Sequence, residues 1–245
     1  MAINKESNGF TFGFAIALVA VVGTVLALLA MGLKPMKDRN AEVKKQMEIL
    51  SALMNLDDAG INRANAPEEF KKYVNLEAAV VLDLNGNIKK GNAFDVDIQK
   101  EYKDKKLSEQ DKSYPLFVAK KDGKTQYIIP VVGKGLWGPI WGNICLDEDM
   151  NTIVGASFGH KGETPGLGAE IAQQFFIDRW IGEKIMNEKG EFLKFEIVKD
   201  GTGSKLPQKV DGITGGTITS KGVEEMANRC LKVYAKYFSN LKSKQ

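Results

Sequence analysis

The chain has 245 residues, 43% of them hydrophobic and 27% charged, which is ordinary globular usage and enough to bury a sizeable core. Its 34 basic and 31 acidic residues leave a formal charge of +3, and the lysines are spread without a basic, aromatic-interleaved block, which argues against nucleic acid as a partner. Two cysteines and one histidine supply no ligand set for structural zinc or an iron–sulfur cluster, and no Gly-x-Ser-x-Gly nucleophile stands ready for His160, so no metal site and no hydrolytic catalytic residue is expected.

Residues 9–33 carry no charge and are apolar almost throughout. As a helix this run would be roughly 36 Å long, against a hydrocarbon core of about 30 Å. It is longer than the apolar region of a cleaved signal peptide, about 7 to 15 residues. A retained transmembrane anchor over residues 1–36 is therefore expected, with a domain over residues 37–245. Lys34, Lys37, Arg39, Lys44 and Lys45 follow the span and only Lys5 precedes it. That local count puts the domain in the cytoplasm, but a long domain overrides such a count, and the side stays open.

Residues 37–56 read as helix, with Val43, Met47, Leu50 and Met54 at helical spacing, and Pro67 opens a short helix reaching Val74. Residues 77–84 read as a β-branched strand ending in an Asn85-Gly86 hairpin turn. Residues 92–112 are polar and show no clear period. Strands follow at 114–119 and 125–132 around Asp122-Gly123, and at 140–146 and 152–158 around Asp147-Glu148-Asp149. A helix is expected over 168–181, a strand over 192–198, and a helix over 221–241 with Val223, Met226, Ala227, Cys230, Leu231, Tyr234, Tyr237 and Phe238 on one stripe. Strands arriving as hairpins define an α+β domain with a mainly antiparallel, twisted sheet and packed helices. Gly133-Lys134-Gly135 lacks a third glycine and a following helix, so it is no dinucleotide fingerprint. Cys145 and Cys230 sit in apolar segments, and the sequence leaves open whether they pair.

Residues 211–220, Asp-Gly-Ile-Thr-Gly-Gly-Thr-Ile-Thr-Ser, put the hydroxyl of Thr217 behind Gly215 and Gly216 at the start of a helix. Glycines admit close backbone approach, and the first amides of a helix are free donors with partial positive charge, which suits a phosphate. The plainer reading is a turn with Thr219 or Ser220 as N-cap. Two further segments stand out: Gly-Lys-Gly-Leu-Trp-Gly-Pro-Ile-Trp-Gly at 133–142, and Glu-Thr-Pro-Gly-Leu-Gly at 163–168. Taken together the three look like a flavin pocket. Leu136 and Trp137 offer an apolar wall for an aromatic ring, Glu163 and Thr164 can hydrogen-bond its polar edge, and Thr217 can hold its phosphate. The plainer reading of the tryptophans is core packing.

The order of anchor, Gly-Leu-Trp-Gly, Glu-Thr-Pro-Gly-Leu-Gly and Asp-x-x-Thr-Gly-Gly-Thr-x-Thr-Ser resembles the family of C subunits of the Na+-translocating NADH:quinone reductases, over essentially the whole chain. The related G subunits of RNF complexes and a flavin-free anchored interaction domain are the alternatives. The resemblance implies a covalent FMN, joined by a phosphoester to the last threonine of a Ser/Thr-Gly-Ala-Thr motif, installed by a flavin transferase using FAD and Mg2+. By position that threonine is Thr217, with Thr214, Gly215, Gly216, Leu136, Trp137, Glu163, Thr164 and Leu167 as further cofactor-binding residues. Thr214 replaces the commoner serine and Gly216 the alanine. The resemblance also implies an extracytoplasmic domain on the inner membrane, and an electron relay among other subunits of a complex that oxidises NADH, reduces quinone and moves Na+ outward. In such a relay the flavin carries the chemistry, so this chain needs no acid, base or nucleophile acting on a substrate. Glu163 or Lys134 near the ring would tune it.

Overall fold

The computed structural model describes residues 7–203 and 206–243. It divides into two compact units, residues 1–45 and 46–245. Helix α1, Asn8–Leu50, begins in the first, and there its surface is apolar on every side: Phe12, Ile16, Val19, Val22, Leu26, Leu29 and Leu33 are all exposed. A helix that is apolar all round needs a non-aqueous surrounding. Among the described residues it is the one helix long and apolar enough to cross a membrane. The separate helix expected from residue 37 is instead the continuation of α1, which runs through Pro35 and ends at Leu50. Proline deletes one backbone bond of the helix, and the remaining bonds carry the helix past it.

The second unit is built on a six-stranded sheet. Helix α2, Ala66–Tyr73, starts with Pro67 in its first turn, has Glu68 and Glu69 at its positive end and Lys71 and Lys72 at its negative end, and buries Phe70. Strands β1 (Val74–Leu82) and β2 (Ile88–Lys89) flank the Asn85-Gly86 turn, where the Asp83 carboxylate accepts from the backbone N–H groups of Asn85 and Asn87. The patternless region holds one short helix, α3 (Ile98–Lys103), capped by Asp97 accepting from Lys100 N at 3.0 Å. Strands β3 (Tyr114–Lys121), β4 (Lys124–Lys134), β5 (Pro139–Leu146) and β6 (Ile153–His160) complete the sheet in the order β2-β1-β3-β4-β5-β6, every neighbouring pair antiparallel.

The helix expected over 168–181 is broken. A 3-10 turn at Gly168–Ala172, the short helix α4 (Gln174–Ile177) and a second 3-10 turn at Asp178–Trp180 replace it, because Gln173 is extended (φ −85°, ψ 148°). The break lets Phe176 and Trp180 both turn inward, where Trp180 meets Phe158 at 5.5 Å and Phe195 at 5.3 Å between ring centres. The strand expected over 192–198 shortens to β7 (Glu196–Val198), which pairs in parallel with β8 (Lys209–Asp211), a strand with no sequence signal of its own.

Helix α5, Thr217–Lys242, starts four residues earlier than the expected 221–241. Val223, Met226, Ala227, Cys230, Leu231, Tyr234 and Phe238 are buried on it, packed with Ile129, Val131, Ile140 and Ile144 of the sheet, whereas Tyr237 is only partly covered. Each large side chain buried this way contributes about 1.5–3 kcal/mol. Tyr234 donates its hydroxyl to Pro115 O at 2.8 Å, so even the polar tip is satisfied.

Cys145 and Cys230 are free and buried. Burial pushes the Cys145 thiol up to about 12 and raises that of Cys230 as well. Because the thiolate is the reacting form, the folded protein should stay inert to an aromatic disulfide reagent near pH ~8, and denaturant should release both thiols. Rapid labelling of either in the native state would contradict this packing.

Candidate functional site

Three chain segments converge at one end of the sheet. The β4–β5 turn is closed by Gly135 N donating to Gly138 O at 2.8 Å, and carries Leu136 and Trp137 outward. The segment after β6 brings Glu163, Thr164 and Leu167, with Thr164 O accepting from Leu167 N and Ala169 N, each at 3.1 Å. The third is the loop from β8 into α5, in which Gly215 takes φ +75° and Leu167 packs closely against it. Between them lies a cavity of roughly 520 Å³, open mouth included, lined by Leu136, Trp137, Glu163, Thr164, Leu167, Gly215, Gly216, Thr217 and their neighbours Gly168, Ile218 and Thr219.

Glu163 joins the three segments. Its side chain is buried, 5% exposed, with Oε1 accepting from Trp137 N at 2.8 Å and Oε2 accepting from Thr219 Oγ1 at 2.5 Å. Its own backbone N–H donates to His160 Nδ1 at 3.2 Å, which requires the proton of a neutral His160 ring to sit on Nε2. Gly168 is glycine because an added Cβ would stand 2.6 Å from Glu163 Oε2 and closer still to Thr219 Oγ1. The carboxylate thus faces two protein donors.

The 211–220 motif divides into a frame and a free end. Asp211 Oδ1 accepts from Thr202 N at 2.8 Å and Gly203 N at 2.6 Å, and Ser220 Oγ accepts from Ile213 N at 3.0 Å. Thr219 and Ser220 are buried, so neither is the solvent-side N-cap of the plainer reading. Gly216 holds the N-cap position and no side chain caps the helix, so the amides of its first turn remain donors at the positive end of a 26-residue helix. Thr217 is the first residue of α5 and is exposed. An anion placed there meets a free hydroxyl and these amides together.

Of the nine residues nominated from sequence, eight line this cavity and Thr214 does not. Thr214 Oγ1 donates instead to Asp200 Oδ2 at 3.2 Å. Asp200 pairs with Arg179 at 2.9 Å, and Arg179 donates to the carbonyls of Asp211 and Gly212 at 2.8 Å each. Arg179 and Asp200 carry no sequence signal, since their partners lie 14 to 33 residues along the chain, and the sequence reading gave Thr219 and His160 other roles. Lys134 is outside the lining, and Trp141 is turned to another side, donating Nε1 to Glu48 Oε1 at 3.1 Å. The rim is apolar and open: Trp137 is 69% exposed and Ile218 60%.

An uncapped helix start beside apolar walls can take an anion attached to an aromatic ring. Residues 135–232 match the family described as the FMN-binding domain. Two curated relatives, both C subunits of the Na+-translocating NADH-quinone reductase, come from Vibrio alginolyticus and Pseudomonas aeruginosa. They are 32% and 31% identical over 240 and 245 residues, spanning 91% of this chain and 90% and 91% of their own lengths. A solved structure of the same protein from Parabacteroides distasonis is 39% identical, with a TM-score of 0.72, covering 84% of this chain and 96% of its own. The chain belongs to the family of C subunits of the Na+-translocating NADH-quinone reductases, which selects it over the RNF alternative.

Removing the Glu163 carboxylate strands the buried Thr219 hydroxyl and the Trp137 amide. Glu163→Ala should cost about 2 kcal/mol in urea unfolding of the flavin-free protein, whereas exposed Thr217→Val should stay within about 0.5 kcal/mol. Equal stabilities for wild type and Glu163→Ala would refute the brace.

Proposed function

We propose that this chain carries FMN as a phosphoester on Thr217 Oγ and relays electrons within a Na+-translocating NADH:quinone reductase. The observation that carries the reading is the exposed Thr217 hydroxyl at the uncapped start of α5, on the wall of a cavity shared with Leu136, Trp137 and Leu167. FMN, when bound, supplies one- and two-electron transfer. During maturation, Thr217 Oγ attacks the flavin-side phosphorus of FAD on a flavin transferase with Mg2+. The P–O–P bond breaks, AMP leaves, and the hydroxyl proton passes to the transferase or solvent. The amides at the start of α5 then hold the remaining phosphate charge. Leu136, Trp137 and Leu167 would offer the ring an apolar wall on that side. Glu163 keeps the tether and the ring wall at a fixed separation. Gly216, in place of the family's alanine, keeps the acceptor loop free of a side chain beside Thr217.

The other subunits of the complex are the electron donor and acceptor, and the assembly couples NADH oxidation and quinone reduction to outward Na+ movement. Residues 1–36 anchor the chain in the inner membrane, and the domain from residue 37 onward lies outside the cytoplasm. The five cations after the span argue against that side; the length of the domain offsets them.

Two variants test the site on one preparation coexpressed with the transferase. Thr217→Ala should lose the flavin mass adduct completely, while Trp137→Ala should keep it and shift flavin fluorescence or midpoint potential. An unchanged adduct on Thr217→Ala would defeat the assignment. For the membrane side, protease added outside intact spheroplasts should digest the domain; full protection would put it in the cytoplasm.

A further inference from the structure

The cations that follow the apolar run of α1 form a feature that the flavin site does not use. Lys34, Lys37 and Arg39 are exposed on a helix that continues without a break beyond Leu33. None of the three makes an ion pair with a described residue, although Asp38 lies among them in sequence. A surface lysine in water needs no partner, so exposure alone says little. Their depth is the telling quantity. At 1.5 Å per residue the three fall within about 9 Å of the end of the apolar run. The headgroup band on each side of the hydrocarbon core is about 5–8 Å deep, so their long side chains reach it. Lys44 and Lys45 stand about 16 Å or more along the axis and lie past it.

We infer that Lys34, Lys37 and Arg39 form an interaction surface for anionic phospholipid headgroups. Three cations against the single carboxylate of Asp38 leave a net +2 in that band. Lys34 and Lys37, three residues apart, share one face of the helix and Arg39 points to the other side, so they contact headgroups on both sides of the shaft and not one deep pocket. The consequence is a ring of preferred lipid that fixes the depth of the helix. It also gives the cations a role that offsets their unfavourable position if the domain is exported. The inference rests on the membrane-spanning reading of α1 and holds for either side of the membrane, since only the leaflet changes.

The test uses the full chain reconstituted in phosphatidylcholine bilayers with a trace of spin-labelled phosphatidylglycerol or spin-labelled phosphatidylcholine. Two net charges should favour motionally restricted phosphatidylglycerol on the order of tenfold at low salt, falling towards parity in about 1 M salt. Lys34→Gln/Lys37→Gln/Arg39→Gln should abolish the preference, and Lys44→Gln/Lys45→Gln should retain it. Equal restriction of both lipids by the wild type, or an unchanged preference in the triple variant, would overturn the inference; the former is also the result expected if these cations serve only an acidic protein partner. Extraction of the chain from the bilayer by alkaline carbonate would separately overturn the spanning reading, and the lipid surface with it.

Discussion

A carboxylate taken out of water costs several kcal/mol unless donors replace its hydration, and that requirement shapes the flavin end of this molecule. Glu163 meets it with the Trp137 amide and the Thr219 hydroxyl, groups 26 and 56 residues away. Each donor belongs to a different wall of the cavity. Satisfying the charge therefore fixes the distance between the β4–β5 turn and the start of α5, and the glycine at 168 is what lets the chain pass beside Glu163 Oε2 and Thr219 Oγ1. The sheet and the buried face of α5 supply the bulk of the stability, but they leave the two loops at its end free to drift. The carboxylate removes that freedom.

The same economy runs through residues 211–220. Asp211 and Ser220 are committed to holding the backbone, Thr219 to Glu163, and Thr214 to Asp200. Arg179 closes the outer side by bonding two carbonyls of the motif while pairing with Asp200. What remains uncommitted is the hydroxyl of Thr217. A single free side-chain oxygen beside the unpaired amides of the first turn confines any covalent chemistry to one atom, and the fixed frame keeps that atom at the positive end of α5.

Much of the scaffold was legible because its signals are local. Asn85-Gly86 and Asp122-Gly123 announce hairpins, and the largely apolar runs of β3 to β6 are long enough to outweigh neighbouring noise. The failures are equally physical. Gln173 carries no mark of its extended backbone, so periodicity ran a helix straight through it. Strand β8 is three residues long and exists only because β7 lies alongside. Thr217 to Ser220 are poor helix formers and the apolar stripe starts at Val223, so the helix appeared to begin late. For the site, the glycine spacing and the tryptophan segment were visible in the sequence, but not that Trp137 is exposed, since the plainer reading packed the tryptophans in the core. The direction of the Glu163 carboxylate was not, since it depends on a threonine far along the chain. The buried Thr219, two residues from an exposed Thr217, had one usable signal: alternate threonines at a helix start face different sides, and only one can be free.

An open, apolar-rimmed cavity is a poor trap for a dissociable cofactor. With Trp137 69% exposed and Leu136 48%, a bound ring would keep much of its surface in contact with solvent, and the apolar gain available to hold it is correspondingly small. Deepening the cavity would raise affinity but also bury the ring edge that the proposed relay needs open to another protein. The proposed covalent tether would resolve the conflict. It would make rebinding intramolecular, so that weak contacts with Leu136, Trp137 and Leu167 would suffice to keep the ring in place, with the exposed face still available. On the proposed reading, the shallowness of the cavity and the freedom of the Thr217 hydroxyl are therefore one design: the bond supplies retention, and the protein surface is left to supply orientation and access.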